Sequence, residues 1–91
     1  EAAAAALAAR AKDFAAQTVA ETGFGVVEHK LRKNLACSTG IVETYRGHDF
    51  VNPEVDDAAK IVSVPRPAGV VFALTPSTNP VATVAFAGQR T

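Results

Sequence analysis

From residue 2 to residue 21 the chain is built of strong helix formers, alanine above all. Leu7, Ala11, Phe14 and Thr18 recur at i, i+4, i+7 and i+11, a narrow apolar stripe along one helix face. Glu21-Thr22-Gly23 ends that helix, with Gly23 free to take the left-handed cap conformation. Phe24, Val27, Leu31 and Leu35 repeat at i, i+3, i+7 and i+11 and predict a second helix. Glu28 and Arg32 are spaced for an ion pair on its exposed side. Two tandem helices with one stripe each predict a surface pair that covers another layer.

The pattern then lapses. Residues 38–59 carry Gly40, Gly47, Asn52, Pro53 and the pair Asp56-Asp57, and read as irregular with a short strand near 41–45. Residues 60–64 predict a short strand that Pro65-Arg66-Pro67 ends. Residues 69–74 (GVVFAL) are a continuous apolar run between proline turns, as expected of a strand buried on both faces. Residues 75–80 (TPSTNP) form a polar turn, and a helix starts over 81–86 with Pro80 suited to its first position. Strand, turn and helix start make the opening of a βα unit, so the fold class is α/β.

Composition sets limits on function. With 91 residues the chain holds one small domain at most. Its 48% apolar and 20% charged residues are ordinary globular values. Nine basic residues balance nine acidic ones, so no global field favours nucleic acid or an anionic membrane. The nearest approach to a basic patch is Lys30, Arg32 and Lys33 beside Glu28, which reads as a solvated helix face. The single Cys37 forms no internal disulfide and fits a reducing compartment. No apolar run reaches the roughly 18 residues of a membrane span. The alanine-rich start is broken by Arg10, Lys12 and Asp13 and does not read as a secretory signal. Starting at Glu1, the chain is expected to be an excerpt of a longer protein.

Candidate chemistry concentrates in one place. The turn after a buried parallel strand is where open α/β sheets bind ligands. Here it carries Thr75, Ser77, Thr78 and Asn79 next to a helix N-terminus, whose free N–H groups attract anions such as a dinucleotide phosphate. The plainer alternative is that Asn79 caps the helix and the hydroxyls satisfy the turn. Neither GxGxxG nor GxxxxGK[ST] occurs. Cys37 lies eight residues from His29, about 12 Å along a helix, too far for a nucleophile and its base, and reads as a packing residue. His29, His48 and Asp49 lack a metal-ligand spacing, so no metal site is expected.

Two blocks carry a resemblance to a family. Residues 21–34 (ETGFGVVEHKLRKN) resemble the ETGxGxxEDKxxKN stretch of the CoA-acylating aldehyde dehydrogenases, with His29 in place of the commoner Asp. These act on acetaldehyde, propionaldehyde, succinate semialdehyde or sulfoacetaldehyde. Residues 67–80 (PAGVVFALTPSTNP) are similar to the family's P-x-GV-x-x-x-x-x-P-[ST]-T-N-P. Ser77-Thr78-Asn79-Pro80 looks like the acylating branch, since hydrolytic aldehyde dehydrogenases usually have Trp-Asn before the final Phe-Pro of this turn. The resemblance runs from about residue 5 to residue 86.

It implies the N-terminal part of an NAD(P)-binding domain of Rossmann-like fold: a helical pair over 1–37, an irregular segment and arm strand over 38–66, and the first βα unit over 67–91. It also implies NAD or NADP as cofactor, coenzyme A as co-substrate, a small aldehyde substrate, and a homodimer or homotetramer. The implied location is the cytoplasm, with a bacterial microcompartment within it also open. By position, Thr75, Pro76, Ser77, Thr78 and Asn79 would line the cofactor site. Asn79 would donate to the oxygen of the tetrahedral intermediate. The family's catalytic cysteine lies far downstream and Cys37 does not take its place, so the chain alone is expected to be inert. After Phe86 the likeness stops, and Gly88 is expected to end the helix. A hydrolytic aldehyde dehydrogenase and a non-catalytic helical interaction module built on the first 36 residues are the competing readings.

Overall fold

The computed structural model describes residues 1–90 of the chain and the side chains of residues 1–88. The alanine run forms two helices where one was expected, α1 (Ala2–Ala9) and α2 (Ala11–Thr22). They meet at Arg10, whose φ of −108° and ψ of 10° leave the helical region while its N–H donates to Leu7 O at 3.2 Å. No residue of the run is a helix breaker, so tertiary packing outweighs local propensity here. The break lets α1 lie against a later helical turn and against the C-terminal helix. Of the expected stripe, Ala11 and Thr18 are buried and Leu7 and Phe14 half-buried, with Ala4 and Ala15 joining them. α2 stops as expected: Gly23 adopts φ 70° and its N–H donates to Val19 O at 2.9 Å.

Helix α3 (Val27–Leu35) continues through a π-helical turn (Ala36–Gly40) into α4 (Ile41–Thr44). The short strand expected near 41–45 is thus replaced by helix and turn. The cause lies in hydroxyls that the apolar pattern does not register. The fully buried Ser38 donates from Oγ to Asn34 O at 2.6 Å and reaches Leu35 O at 3.3 Å, while Thr39 Oγ1 lies 3.4 Å from Leu35 O. These bonds serve carbonyls that a widened turn strips of their usual donors, so the helix runs on.

The buried face of α3 is also not the apolar stripe. Lys30 and Asn34 are buried, Val27 and Leu31 half-buried, and Phe24 and Leu35 exposed. Polar ties rotate the helix: Asn34 Nδ2 donates to Ala11 O at 3.1 Å and fastens α3 to α2. Glu28 and Arg32 form no ion pair among the described residues. Arg46 instead pairs with Glu43 at 2.7 Å and with Glu1 at 3.1 Å, all on the exposed surface.

A hairpin follows, β1 (Glu54–Asp56) antiparallel to β2 (Ile61–Ser63), with Val55 opposite Val62. β2 is the strand expected over 60–64; its partner arises in sequence read as irregular. Residues 69–74 form no strand, contrary to the pattern, and Val70, Phe72 and Leu74 are 102%, 88% and 82% exposed. A buried parallel strand needs a neighbour on each side, and the two-stranded hairpin supplies none. Helix α5 (Pro80–Arg90) begins at the expected proline but runs through Gly88. A single glycine weakens a helix by about 1 kcal/mol relative to alanine and need not end it.

Ala82 and Ala85 of α5 are buried where that helix packs on α1, α2 and α3, and Ala4, Ala11 and Ala15 are the buried apolar residues of α1 and α2. The core is therefore made of small side chains that let helices approach closely. Helices and a small sheet are both present, but no parallel sheet occurs among the described residues. The radius of gyration is 15.8 Å, against about 12 Å for a compact chain of this length. The excess comes from the hairpin and the extended run, which stand away from the helices.

Candidate functional site

The turn over residues 75–79 is closed by Asn79 N–H donating to Pro76 O at 3.2 Å. Asn79 O then accepts from Thr83 N–H at 3.1 Å, the first bond of α5. Thr75, Ser77 and Thr78 are exposed, and Asn79 and Pro80 are half-buried. The hydroxyls expected to face a ligand are thus accessible, beside the first turn of an 11-residue helix. Pro80 has no N–H and that of Asn79 is taken by Pro76 O, so the N–H groups of Val81 and Ala82 are the ones left without a partner within the helix.

The Asn79 side chain does not spend its oxygen on those N–H groups. Asn79 Oδ1 lies 3.3 Å from Lys33 Nζ and 3.5 Å from Lys30 Nζ, and Lys30 Nζ also donates to Thr78 O. The three basic residues read as one solvated face are therefore not equivalent. Arg32 and Lys33 are exposed, but Lys30 is only 8% exposed. Gly25, in the link between α2 and α3, makes room for it: at φ 82° a Cβ there would sit 2.9 Å from Lys30 Cε. Sequence reasoning missed both lysines as site residues. The available signal was their i, i+3 spacing, which puts them on one helix face.

Lys30 and Thr78 stand 48 positions apart, one in each of the two blocks that carry the family resemblance. The fold brings those blocks together. Other candidates remain apart from any such assembly. Cys37 is a half-buried free thiol in the π-helical turn, and His29 is exposed on α3. His48 packs by its ring against Phe50 at 4.6 Å and Tyr45 at 5.9 Å between centroids. Among the described residues no group of three or more His, Cys, Asp or Glu is placed to hold a metal ion. No described helix is long and apolar enough to cross a membrane.

Known proteins with related sequences share one chemistry in their names. The chain is 46% identical over 78 residues to a sulfoacetaldehyde dehydrogenase (acylating) of Cupriavidus necator, covering 85% of this chain and 16% of that protein. It is 42% identical over 77 residues to an acetaldehyde dehydrogenase (acetylating) of Escherichia coli K12, covering 81% of this chain and 15% of the relative. A bifunctional aldehyde-alcohol dehydrogenase of the same organism is 34% identical over 74 residues, 80% of this chain and 8% of the relative. The shared class is that of the aldehyde dehydrogenases. Over the matched residues the chain is a homologue of the acylating members of that class. It spans about one-sixth of the length of the first two relatives and less of the third. No family model matches the chain. No solved structure matches it either.

Proposed function

We propose that the whole protein carrying this chain oxidises an aldehyde to its acyl-CoA, reversibly, through a cysteine thioester formed outside these 91 residues. The observation that carries the reading is the homology with acylating dehydrogenases over four-fifths of the chain. In this reading residues 67–91 open the cofactor domain, and the run 69–74 becomes its first strand once neighbouring strands are present.

The residues of the 75–79 turn fit a dinucleotide. Thr75, Ser77 and Thr78 offer exposed hydroxyls, and the start of α5 offers free N–H groups for a phosphate. When bound, NAD or NADP supplies the hydride acceptor. Thr75, Pro76, Ser77 and Thr78 would hold the cofactor. Asn79 donates its side-chain N–H to the oxygen that becomes negative as that carbonyl turns tetrahedral. Coenzyme A, rather than water, then takes the acyl group. The separate helical module is disfavoured by the packing, because α1, α2 and α3 all bury residues against α5.

Asn79→Asp tests the site. Two lysines at 3.3 and 3.5 Å from Oδ1 welcome a carboxylate, so thermal stability is kept or raised. The same charge repels the developing oxyanion, and the N–H donor is gone. The expected kcat of both Asn79→Asp and Asn79→Ala is about 100- to 1,000-fold below that of the native protein, with cofactor affinity changed far less. Near-normal turnover of the aspartate variant would reduce Asn79 to a structural residue of the turn.

A further inference from the structure

We infer that Lys30 and Lys33 are positioning residues that fix which way the Asn79 amide faces and strengthen its N–H as a donor. The inference rests on the reading of Asn79 as the oxyanion donor. An amide can present either its oxygen or its nitrogen to a neighbour, and its orientation is settled by what the neighbours can accept or give. A lysine ammonium can only donate. With Lys30 Nζ at 3.5 Å and Lys33 Nζ at 3.3 Å, Oδ1 must face the lysines. The reversed amide would set its own N–H groups against two cations. Nδ2 is the amide end not engaged by the lysines, and it donates no hydrogen bond among the described residues.

Burial makes the arrangement specific. Lys30 is 8% exposed, and an ammonium is costly to bury unless its donors are met. Beyond α3 its acceptors are Thr78 O and Asn79 Oδ1, both in the one turn. The stem reaches that turn past Gly25, where a Cβ would come within 2.9 Å of Lys30 Cε. Positive charge on the oxygen side of an amide also draws electron density from its nitrogen. The N–H then becomes a better donor to a negative oxygen, as in other polarised hydrogen-bond chains. A simple clamp would affect stability alone. A positioning role affects turnover and does so through Asn79.

The test is a double-mutant cycle in the whole protein, reading kcat, KM for cofactor and aldehyde, and thermal midpoint. Lys30→Met is expected to lower kcat by at least about tenfold, less than the loss of the donor itself, with cofactor KM held within about twofold. Lys33→Met, at an exposed position, should lower kcat about threefold by the same route. In the Asn79→Ala background neither substitution should lower kcat further, since the group they orient is gone. Should Lys30→Met fail to accumulate as folded protein, the Lys33→Met cycle decides in its place. If Asn79→Ala impairs turnover while the lysine variants turn over normally, or add their full effect to it, the positioning role is overturned and the oxyanion reading stands. Normal turnover of Asn79→Ala overturns both.

Discussion

Asp49 accepts hydrogen bonds from Asn52 Nδ2 at 2.6 Å, from Val51 N–H at 2.8 Å and from Asn52 N–H at 3.1 Å. The Asn52 side chain first, then the two backbone donors, hold its carboxyl down to about 2 from an ordinary value of 3.8. A pKa depressed in the folded state favours folding above the unfolded value and loses that contribution as pH falls through the folded one. The turn 49–52 should therefore hold at pH 4 and open towards pH 2, where Asp49 protonates. A carboxyl titration followed by NMR, with the Val51 and Asn52 amides as reporters, checks this. Asn52→Ala should raise the midpoint towards 3.8 without reaching it, because the largest single contribution comes from that side chain while the two backbone donors remain. A native midpoint near 4 would dismiss the turn as a determinant. At this scale the exposed polar turn over residues 75–79 was legible in the sequence as a cluster of polar residues before a proline. Lys30 was not, because a lysine among charged neighbours on a helix is ordinarily solvated, and its burial depends on a turn 48 residues away.

Among elements, the link between α2 and α3 offers a contrast between two glycines. Gly23 at φ 70° and Gly25 at φ 82° both sit in the left-handed region, where an L side chain costs about 1–2 kcal/mol. A Cβ at Gly23 would meet nothing within 4 Å, whereas one at Gly25 would strike the Lys30 stem at 2.9 Å. Gly25→Ala is therefore expected to destabilise more than Gly23→Ala, and it alone should disturb turnover by displacing Lys30. Denaturant midpoints and kcat of the two variants in the whole protein check this; equal losses of stability with intact turnover would mean the contact is inconsequential. The Gly23 stop and the Pro80 start were readable because each follows from one residue's backbone preference, and the β2 strand because the prolines at 65 and 67 bound a short apolar stretch. The 41–45 segment and the face of α3 were not, since Ser38 and Asn34 act by hydrogen bonds that an apolar repeat cannot represent.

For the whole molecule, the telling segment is 69–74. Its apolar run was read as a strand buried on both faces and forms none, because a strand needs partners and these residues have none among the described residues. The isolated 91-residue chain should therefore exchange the backbone amides of residues 69–74 at nearly unfolded rates, and the whole protein should protect them. Protection in the isolated chain would show that the run finds its own partner.

The tie from Lys30 to Thr78 also closes a loop of 48 residues that contains the hairpin and the exposed run. The entropy of closing such a loop grows only with the logarithm of its length, so doubling it would cost about 0.6 kcal/mol. The two ends of the loop are held by the helical layer regardless of what hangs between them. A change in the length of the hairpin would therefore cost little in loop entropy and leave Asn79 in its place.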